Sequence, residues 1–210
     1  RLFAGHGIAV ALAARRTDKL AGLCAETGAR AYQCSADDPA SVAALFTAVE
    51  ASQPPPDIVV YNASSRARGP VAELDPAAVK QAIDITAFGA FLVSQQALRR
   101  MLPKGEGALL LSGATAGVKG FANSAAFAMG KFALRGLAQA MAREVSPAGV
   151  HVAHFVIDGG IRSAARPVPE DKPDSLLDPD AIAETYWHVL HQHRSAWSWE
   201  VELRPWTERF

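Results

Sequence analysis

Short apolar runs alternate with longer amphipathic stretches along the chain, a pattern typical of strands that alternate with helices. The apolar runs are four to seven residues long and are bounded by Gly, Pro or polar residues, so they predict strands. These strands are expected at 8–14, 29–34, 57–61, 108–111, 151–157 and 200–203. Because the apolar residues in 8–14 and 57–61 are nearly continuous, we expect both of these strands to be buried on both faces.

Capping residues indicate where the intervening helices begin. Asp-Pro pairs start at Asp38, Asp75 and Asp178, and each combines a helix-capping carboxylate with a proline suited to the first turn. Thr17 is the expected cap of an earlier helix, which Gly28 would end. The helices are therefore expected at 17–28, 38–52, 75–103, 125–145 and from 178 onward.

Repeated strand–helix–strand units require right-handed crossovers and a parallel sheet between two layers of helices. The sequence therefore predicts a single doubly wound, Rossmann-like α/β domain over 1–210. In such a sheet, ligands bind beyond the carboxyl ends of the strands. The residues that follow the predicted strands are thus the candidates for chemistry, namely Arg15, Arg16, Ser35, Asn62, Ala63, Ser112, Gly113, Ala114, Thr115, Asp158 and Gly159.

Several of these positions carry motifs that resemble those of the short-chain dehydrogenase/reductase family. Tyr61-Asn-Ala-Ser stands where the family has Asn-Asn-Ala-Gly, and Ser112-Gly-Ala-Thr-Ala-Gly resembles the family's serine-rich strand end. Phe127-Ala-Met-Gly-Lys131 resembles its Tyr-x-x-x-Lys, and Asp158-Gly159 stands for the Pro-Gly that follows its sixth strand. The resemblance covers essentially the whole chain and implies an oxidoreductase that uses a nicotinamide cofactor.

The end of the first predicted strand indicates which cofactor the resemblance implies. Ala14 occupies the position where NAD-preferring members have an acid, and Arg15 and Arg16 follow it. A guanidinium accommodates a ribose 2′-phosphate, so NADP(H) is favoured over NAD(H); the alternative is a solvated arginine pair at the start of a helix. The other cofactor-binding positions implied by the resemblance are Ser35, Asn62, Ala63, Lys131, Asp158, Gly159, Ile161 and Ser163.

The resemblance also shows which catalytic groups are replaced. Phe127 stands at the position of the family's proton-donating Tyr, Ala114 at that of its Ser, and Thr86 at that of its Asn. Lys131 is retained, and Thr115 is the best substitute for orienting a substrate oxygen. Because a positioned general acid contributes typically about 10²–10⁴-fold, we expect impaired or unusual proton donation.

The chain begins within what resembles the family's first helix. The family's first strand and its glycine-rich, pyrophosphate-binding turn would precede Arg1, so we expect that this sequence lacks an upstream element. The missing strand would lie in the middle of the sheet, and its absence would expose two strand edges.

Composition excludes several classes of function. The 210 residues include 21 basic and 21 acidic side chains, a balance that argues against a nucleic-acid-binding protein. The sequence contains no unbroken apolar run near the roughly 18 residues of a membrane span. Two cysteines, Cys24 and Cys34, predict neither a disulfide framework nor a zinc site. Instead, the two are expected to be reduced thiols in a cytoplasmic protein. His188, His191 and His193 lack a completing ligand, so we expect no metal.

Two segments are assigned from their composition. The polar stretch 162–177 is predicted to be a substrate lid. The segment 197–210 is expected to hold the last strand and an aromatic tail with Trp197, Trp199, Trp206 and Phe210. Exposed aromatics at this density favour an interface, so a homodimer or homotetramer is expected.

Three functions remain open at this point. The first is an NADP(H)-dependent oxidoreductase that acts on a small carbonyl compound, an alcohol or an activated double bond. The second is a catalytically silent nucleotide-binding relative that acts as a scaffold or regulator. The third is a non-redox lyase or isomerase that uses the same cleft, because one fold supports many chemistries. The sequence does not indicate which small molecule is the substrate.

Overall fold

The computed structural model describes residues 1–208. Strands in these residues are β1 Ala11–Ala14, β2 Arg30–Gln33, β3 Ile58–Tyr61, β4 Gly107–Ser112, β5 Val150–Ile157 and β6 Glu200–Leu203. Helices are α1 Leu2–Gly5, α2 Ala21–Thr27, α3 Pro39–Glu50, α4 Pro76–Ile83, α5 Gly89–Met101, α6 Ala125–Val145 and α7 Pro179–Leu190. The alternation of strands and helices is confirmed, and the fold is a Rossmann-like α/β domain.

Every strand pair in this part of the chain is parallel, as expected. The strands form two hydrogen-bonded groups, β1-β2 and β3-β4-β5-β6, rather than one continuous ladder. A shared core nevertheless joins the groups, because Cys34, Val42 and Phe46 pack in one cluster with Leu109 and Leu111 of β4. Within each group, the parallel pairing places the carboxyl ends of the strands along one edge.

The prediction that the first and third strands are buried on both faces is wrong. None of the four residues of β1 is buried, and Val60 of β3 is 41% exposed. Within 1–208, β1 pairs only with β2 and β3 only with β4, so each strand has one edge without a strand partner. By contrast, β4 and β5 have neighbours on both sides and are almost entirely buried.

The three Asp-Pro starts behave as predicted. Asp38 accepts from the N–H of Ala40, Asp75 from those of Ala77 and Ala78, and Asp178 from that of Asp180. The predicted cap at Thr17 is wrong, since its side chain caps nothing. A 3₁₀ turn, Asp18–Leu20, precedes α2 instead, and the helix ends at Gly28 with φ of 72°.

The long helix expected at 75–103 is interrupted. Residues Asp84–Phe88 form a π-helical turn between α4 and α5. Beside this turn, the Tyr61 hydroxyl donates to the carbonyl of Ile85. Gly89 permits the approach, because a Cβ at that position would lie 2.5 Å from the Tyr61 hydroxyl. Such π-bulges often occur at functional sites.

Within 1–208, the helical stretch Pro76–Lys104 is the one segment that could cross a membrane by length and composition alone. The sequence analysis had identified no apolar run of that length. Leu92, Ala97 and Met101 of this stretch are buried in the core. A core helix of this kind passes the same test, so the stretch is weak evidence for a membrane span.

Two glycine turns meet at the amino ends of β4 and β5. Gly149 has φ of 88°, and a Cβ there would lie 2.1 Å from the backbone oxygen of Gly105. We expect Gly149→Ala to lower the free energy of unfolding by roughly 2–4 kcal/mol, because it adds backbone strain and a steric clash.

Gly136→Ala is the matched control in a denaturant titration. Gly136 is exposed on α6 with open space around it, so the same change is expected to raise the free energy of unfolding by roughly 0.5–1 kcal/mol. Equal stability of Gly149→Ala and the wild type would contradict the role of this turn.

Candidate active site

A cleft of about 640 Å³ opens at the carboxyl ends of β3, β4 and β5. It collects ten of the candidate residues, which are Asn62, Ser112, Gly113, Ala114, Thr115, Phe127, Lys131, Gly159, Ile161 and Ser163. A second groove, of about 590 Å³, lies at the opposite strand ends beside Gly105, Gly149 and Trp197. The lining of that groove includes none of the predicted site residues, so the first cleft is the candidate site.

Lys131 lies at the base of the cleft on α6. Its side chain is buried, and the ammonium Nζ donates to the backbone oxygen of Ser112 over 2.6 Å. Burial, together with the nearby positive charge of Arg66, lowers the pKa of Lys131 to about 8. The lysine is therefore a fixed, partly deprotonated amine at the end of β4, not a solvated surface lysine.

Phe127 lies one helical turn before Lys131 and presents its ring to the same space. The ring is buried, and its centroid lies 5.8 Å from Lys131 Nζ. The guanidinium carbon of Arg66 lies 4.0 Å above the ring centroid, within the range of a cation–π interaction. The ring therefore provides an apolar wall and a π-face that binds a cation, but it has no proton to donate.

The end of β4 brings Ala114 and Thr115 to the wall of the cleft. The neighbouring Ser112 hydroxyl is hydrogen-bonded to the hydroxyl of Tyr186 at 2.8 Å. Burial raises the pKa of Tyr186 to about 12, against an opposing contribution from Ser112. Thr115 is therefore the hydroxyl near Ala114 that remains available to a substrate.

Thr86 lies outside the lining of the cleft and is fully buried in the π-helical turn. Its Oγ1 accepts from the N–H of Ser65 at 3.1 Å and so anchors the loop that follows β3. A Cβ at Gly130 would lie 2.9 Å from Thr86 Cβ, so α6 approaches the turn closely here. This contact makes Thr86 a positioning residue for the loop.

The remaining cofactor positions lie beyond the cleft lining. Arg15 and Arg16 are exposed directly after β1, and their side chains form no ion pair within 1–208. Ser35 donates to the Asp37 carboxylate at 2.7 Å, which occupies its hydroxyl. Ala63 is exposed after β3, and the backbone N–H of Asp158 donates to the carbonyl of Leu203. The assignment of these residues to a cofactor stays a prediction.

Three arginines in the lining were not predicted from the sequence. Arg66 comes from the loop after β3, and Arg162 and Arg166 come from the segment after β5. The sequence could have indicated these arginines, because both segments follow strands at the ligand-binding edge. No family motif marks them, since Arg66 lies in a loop without a motif and Arg162 and Arg166 lie in the predicted lid segment 162–177.

His154 of β5 lies directly behind the cleft wall. It is fully buried, and its Nδ1 lies 3.0 Å from Glu200 Oε2, while Glu200 also accepts two hydrogen bonds from Arg135. Its Nε2 has no hydrogen-bond partner among the described residues and would lie 2.4 Å from a Cβ at position 113. Burial lowers the pKa of His154, and its ring is hydrogen-bonded at one nitrogen only among the described residues.

A family model described as short chain dehydrogenase matches residues 1–168 of this chain. The chain belongs to the short-chain dehydrogenase family. The matched residues include the cleft-lining end of β4, Phe127, Lys131 and the arginines of the cleft. No group of three or more potential metal ligands occurs within the part of the chain that the structure describes.

The chain is about a third identical to relatives in this family over the matched residues. A 3-oxoacyl-[acyl-carrier-protein] reductase, MabA, from Mycobacterium avium is 33% identical over 163 residues. The match covers 74% of this chain and 64% of that protein, so the chain spans less than two thirds of the relative's length.

Solved structures of short-chain dehydrogenases have the same fold. One from Rhodopseudomonas palustris is 32% identical, has a TM-score of 0.82, and is matched over 97% of this chain and 90% of its own. A metagenomic short-chain oxidoreductase in complex with NADP is 24% identical, with a TM-score of 0.81 over 95% of this chain and 86% of that one. The second likeness shows the fold alone.

The aromatic tail differs from its prediction. Trp197 stacks on His151 with centroids 4.5 Å apart, and Trp199 packs against the hydrophobic core. Only Trp206, 81% exposed, remains a free aromatic surface in this segment up to residue 208. Phe210 lies outside the described residues. The prediction that the rings of Trp197 and Trp199 are exposed was wrong, because the last strand places them against β5 and the core.

The buried Lys131 predicts a pH-dependent stability. Between about pH 7.5 and 9.5 the folded amine loses its proton while the unfolded lysine, with a pKa near 10.5, keeps it. Stability rises wherever the unfolded state binds more protons. We therefore expect the free energy of unfolding to rise over this range by roughly 2 kcal/mol more in the wild type than in Lys131→Met.

Unfolding titrations at several pH values measure this difference. Lys172→Met removes an exposed lysine and serves as the matched control, for which the wild-type pH dependence should persist. Parallel pH profiles for the wild type and Lys131→Met would show that the lysine is not desolvated as described.

Proposed function

We propose that the protein is an NADP(H)-dependent oxidoreductase that acts on a small carbonyl compound or alcohol, or on an activated double bond. The observation that carries the proposal is the placement of Lys131. The lysine is buried at the carboxyl end of β4, in a cleft that also holds the residues following β3 and β5. Membership of the short-chain dehydrogenase family supports the reaction class.

The donor chemistry along this edge fits a phosphorylated dinucleotide. Arg15 and Arg16 leave two exposed guanidinium groups after β1, and Ala14 brings no carboxylate to repel a 2′-phosphate. We assign the adenosine half to Arg15, Arg16, Ser35, Asn62 and Ala63, and the nicotinamide half to Lys131, Asp158, Gly159, Ile161 and Ser163. The NADP complex of the metagenomic neighbour supports a nicotinamide cofactor of this kind.

When bound, the reduced nicotinamide supplies a hydride to the carbonyl carbon, and a proton from water completes the alcohol. In this proposal the Thr115 hydroxyl orients the substrate oxygen, because Ala114 cannot. Lys131 holds the cofactor ribose and adds positive charge near the developing alkoxide whenever it is protonated. Phe127 excludes water from one side of the reacting group, but it leaves proton transfer without a positioned acid.

Other parts of the chain support this assignment. Residues 162–177 are proposed to cover the substrate, since Arg162, Ser163 and Arg166 already line the cleft. We propose a homo-oligomer in which copies of the chain contact one another through four apolar side chains that are each more than 40% exposed. These are Phe88, Phe91, Met129 and Phe132. Both cysteines are free thiols, which suits a reducing compartment such as the cytoplasm.

The replaced catalytic positions favour one second candidate, a nucleotide-binding relative without catalysis. Phe127 has no exchangeable proton, Ala114 has no hydrogen-bonding side chain, and Thr86 is fully engaged in the fold. Such a protein would bind the dinucleotide and regulate or scaffold a partner. Cofactor binding is common to both candidates, and turnover separates them.

Calorimetry with NADPH and NADH tests the cofactor assignment. We expect the wild type to prefer NADPH, and Arg15→Gln to weaken NADPH binding by roughly tenfold or more while NADH binding is unchanged. The reason is that a charge-assisted contact to the 2′-phosphate is lost. Arg30→Gln removes another exposed arginine next to this strand and is the control. Binding of neither nucleotide would overturn the proposed function.

Restoring the family's hydroxyl groups tests whether the absence of a positioned proton donor limits the reaction. We expect the double variant Phe127→Tyr, Ala114→Ser to raise NADPH-dependent carbonyl reduction by roughly 10²–10⁴-fold over the wild type, because it supplies a positioned proton donor. Ala140→Ser, which adds a hydroxyl at an exposed position of the same helix, should leave the rate unchanged. A double variant that binds NADPH but reduces no member of a carbonyl panel would favour the silent relative.

A further inference from the structure

The cleft contains an excess of positive charge. Arg66, Arg162, Arg166 and Lys131 all line it, whereas its lining includes no Asp or Glu. Arg162 is neutralised by Asp178, whose carboxylate lies 2.7 Å from its guanidinium. Arg66 and Arg166 form no ion pair within 1–208, so two guanidinium groups face the cleft without a counter-charge.

Arg66 is held over the reaction centre. The N–H of the preceding Ser65 is hydrogen-bonded to the buried Thr86, which limits the movement of this part of the loop. The guanidinium then lies against the face of Phe127, 4.0 Å from the ring centroid. A stacked guanidinium keeps its edge donors free, so Arg66 can bind a planar anion beside the position where the substrate must react.

Arg166 is brought to the same cleft by a local turn. Ser163 and Arg166 exchange two backbone hydrogen bonds of 3.0 Å each, and Arg162 is tied to Leu177 by another of 2.9 Å. The guanidinium lies against Gly160, where a Cβ would come within 2.9 Å of Nη1. The segment that carries Arg166 is thus fixed on both sides of the arginine.

The like charges raise one another's free energy in the empty cleft. Burial lowers the pKa of Arg66, and the charges of Arg68 and Arg166 lower it further. Arg66 in turn disfavours the charged form of Lys131. An anion placed among these groups relieves this repulsion and gains charge-assisted hydrogen bonds.

We propose that Arg66, assisted by Arg166, selects a substrate that carries a carboxylate or phosphate close to its reacting carbonyl. The inference rests on the proposed function and names the substrate class for the same cleft. Phe121, Phe127, Ile157 and Ile161 provide the apolar wall for the carbon skeleton between the two groups. Because Arg66 stacks on the ring at the reaction centre, we assign it to the substrate and not to the cofactor phosphates.

Matched probes test this inference. Calorimetry would compare 4-acetylbenzoate and 4-acetylphenyl phosphate with methyl 4-acetylbenzoate, which keeps the ketone and the ring but lacks the charge. We expect at least one anion to bind the wild type roughly tenfold or more tightly than the ester. Arg66→Gln should abolish this preference and leave binding of the ester unchanged.

Two further variants distinguish the effect of a charge at the site from the effects of the protein's net charge and of altered folding. Arg68→Gln removes a charge from the same loop outside the cleft lining and should retain the preference for the anion. Arg66→Lys keeps the charge without the planar fork and should retain part of it. Loss of anion and ester binding alike, unchanged anion preference in Arg66→Gln, or no binding of any probe would overturn the inference.

The same titrations are made with and without NADPH, so that the two proposals can fail separately. Weaker NADPH binding in Arg66→Gln with no change in the probes would assign the arginine to a cofactor phosphate and overturn the substrate assignment. If the wild type binds no NADPH, the proposed oxidoreductase fails, while the preference for the anionic probe still decides whether Arg66 selects anions.

Discussion

The hydrogen bond from the buried Lys131 ammonium to the Ser112 carbonyl is the constraint on which the site depends. It joins α6 to the end of β4 at the point where the strand opens into the cleft. The close approach of Gly117 to the backbone of Lys131, and of Gly130 to Thr86, allows the helix to lie there. A desolvated amine and its neighbours are thereby held at fixed distances from the residues after β3 and β5.

The ring of Phe127 determines which groups meet at this part of the cleft. A tyrosine hydroxyl would place a titratable proton beside Lys131, whereas Phe127 places a π-face there, and Arg66 occupies it. A cation and an aromatic face therefore lie together at the wall of the cleft.

Much of the fold was predictable from local patterns. The Asp-Pro starts of α3, α4 and α7 and the full extent of α6 follow from capping and periodicity, which depend on neighbouring residues. The burial of β1 and β3 was not predictable in this way, because it depends on which strands lie beside them. The π-helical turn was also missed, since its stabilising contact with Tyr61 joins residues that are 24 positions apart.

For the candidate site, the sequence by itself determined the residue types at the strand ends and on α6, including Ala114, Phe127 and Lys131. Only the tertiary structure decided that Thr86 lies outside the cleft and anchors the loop after β3, and that Trp197 and Trp199 pack inward. It alone placed Arg66 over Phe127, because a contact between residues 61 positions apart has no local signature. The chemistry of each side chain follows from its residue type, whereas proximity and desolvation arise from packing.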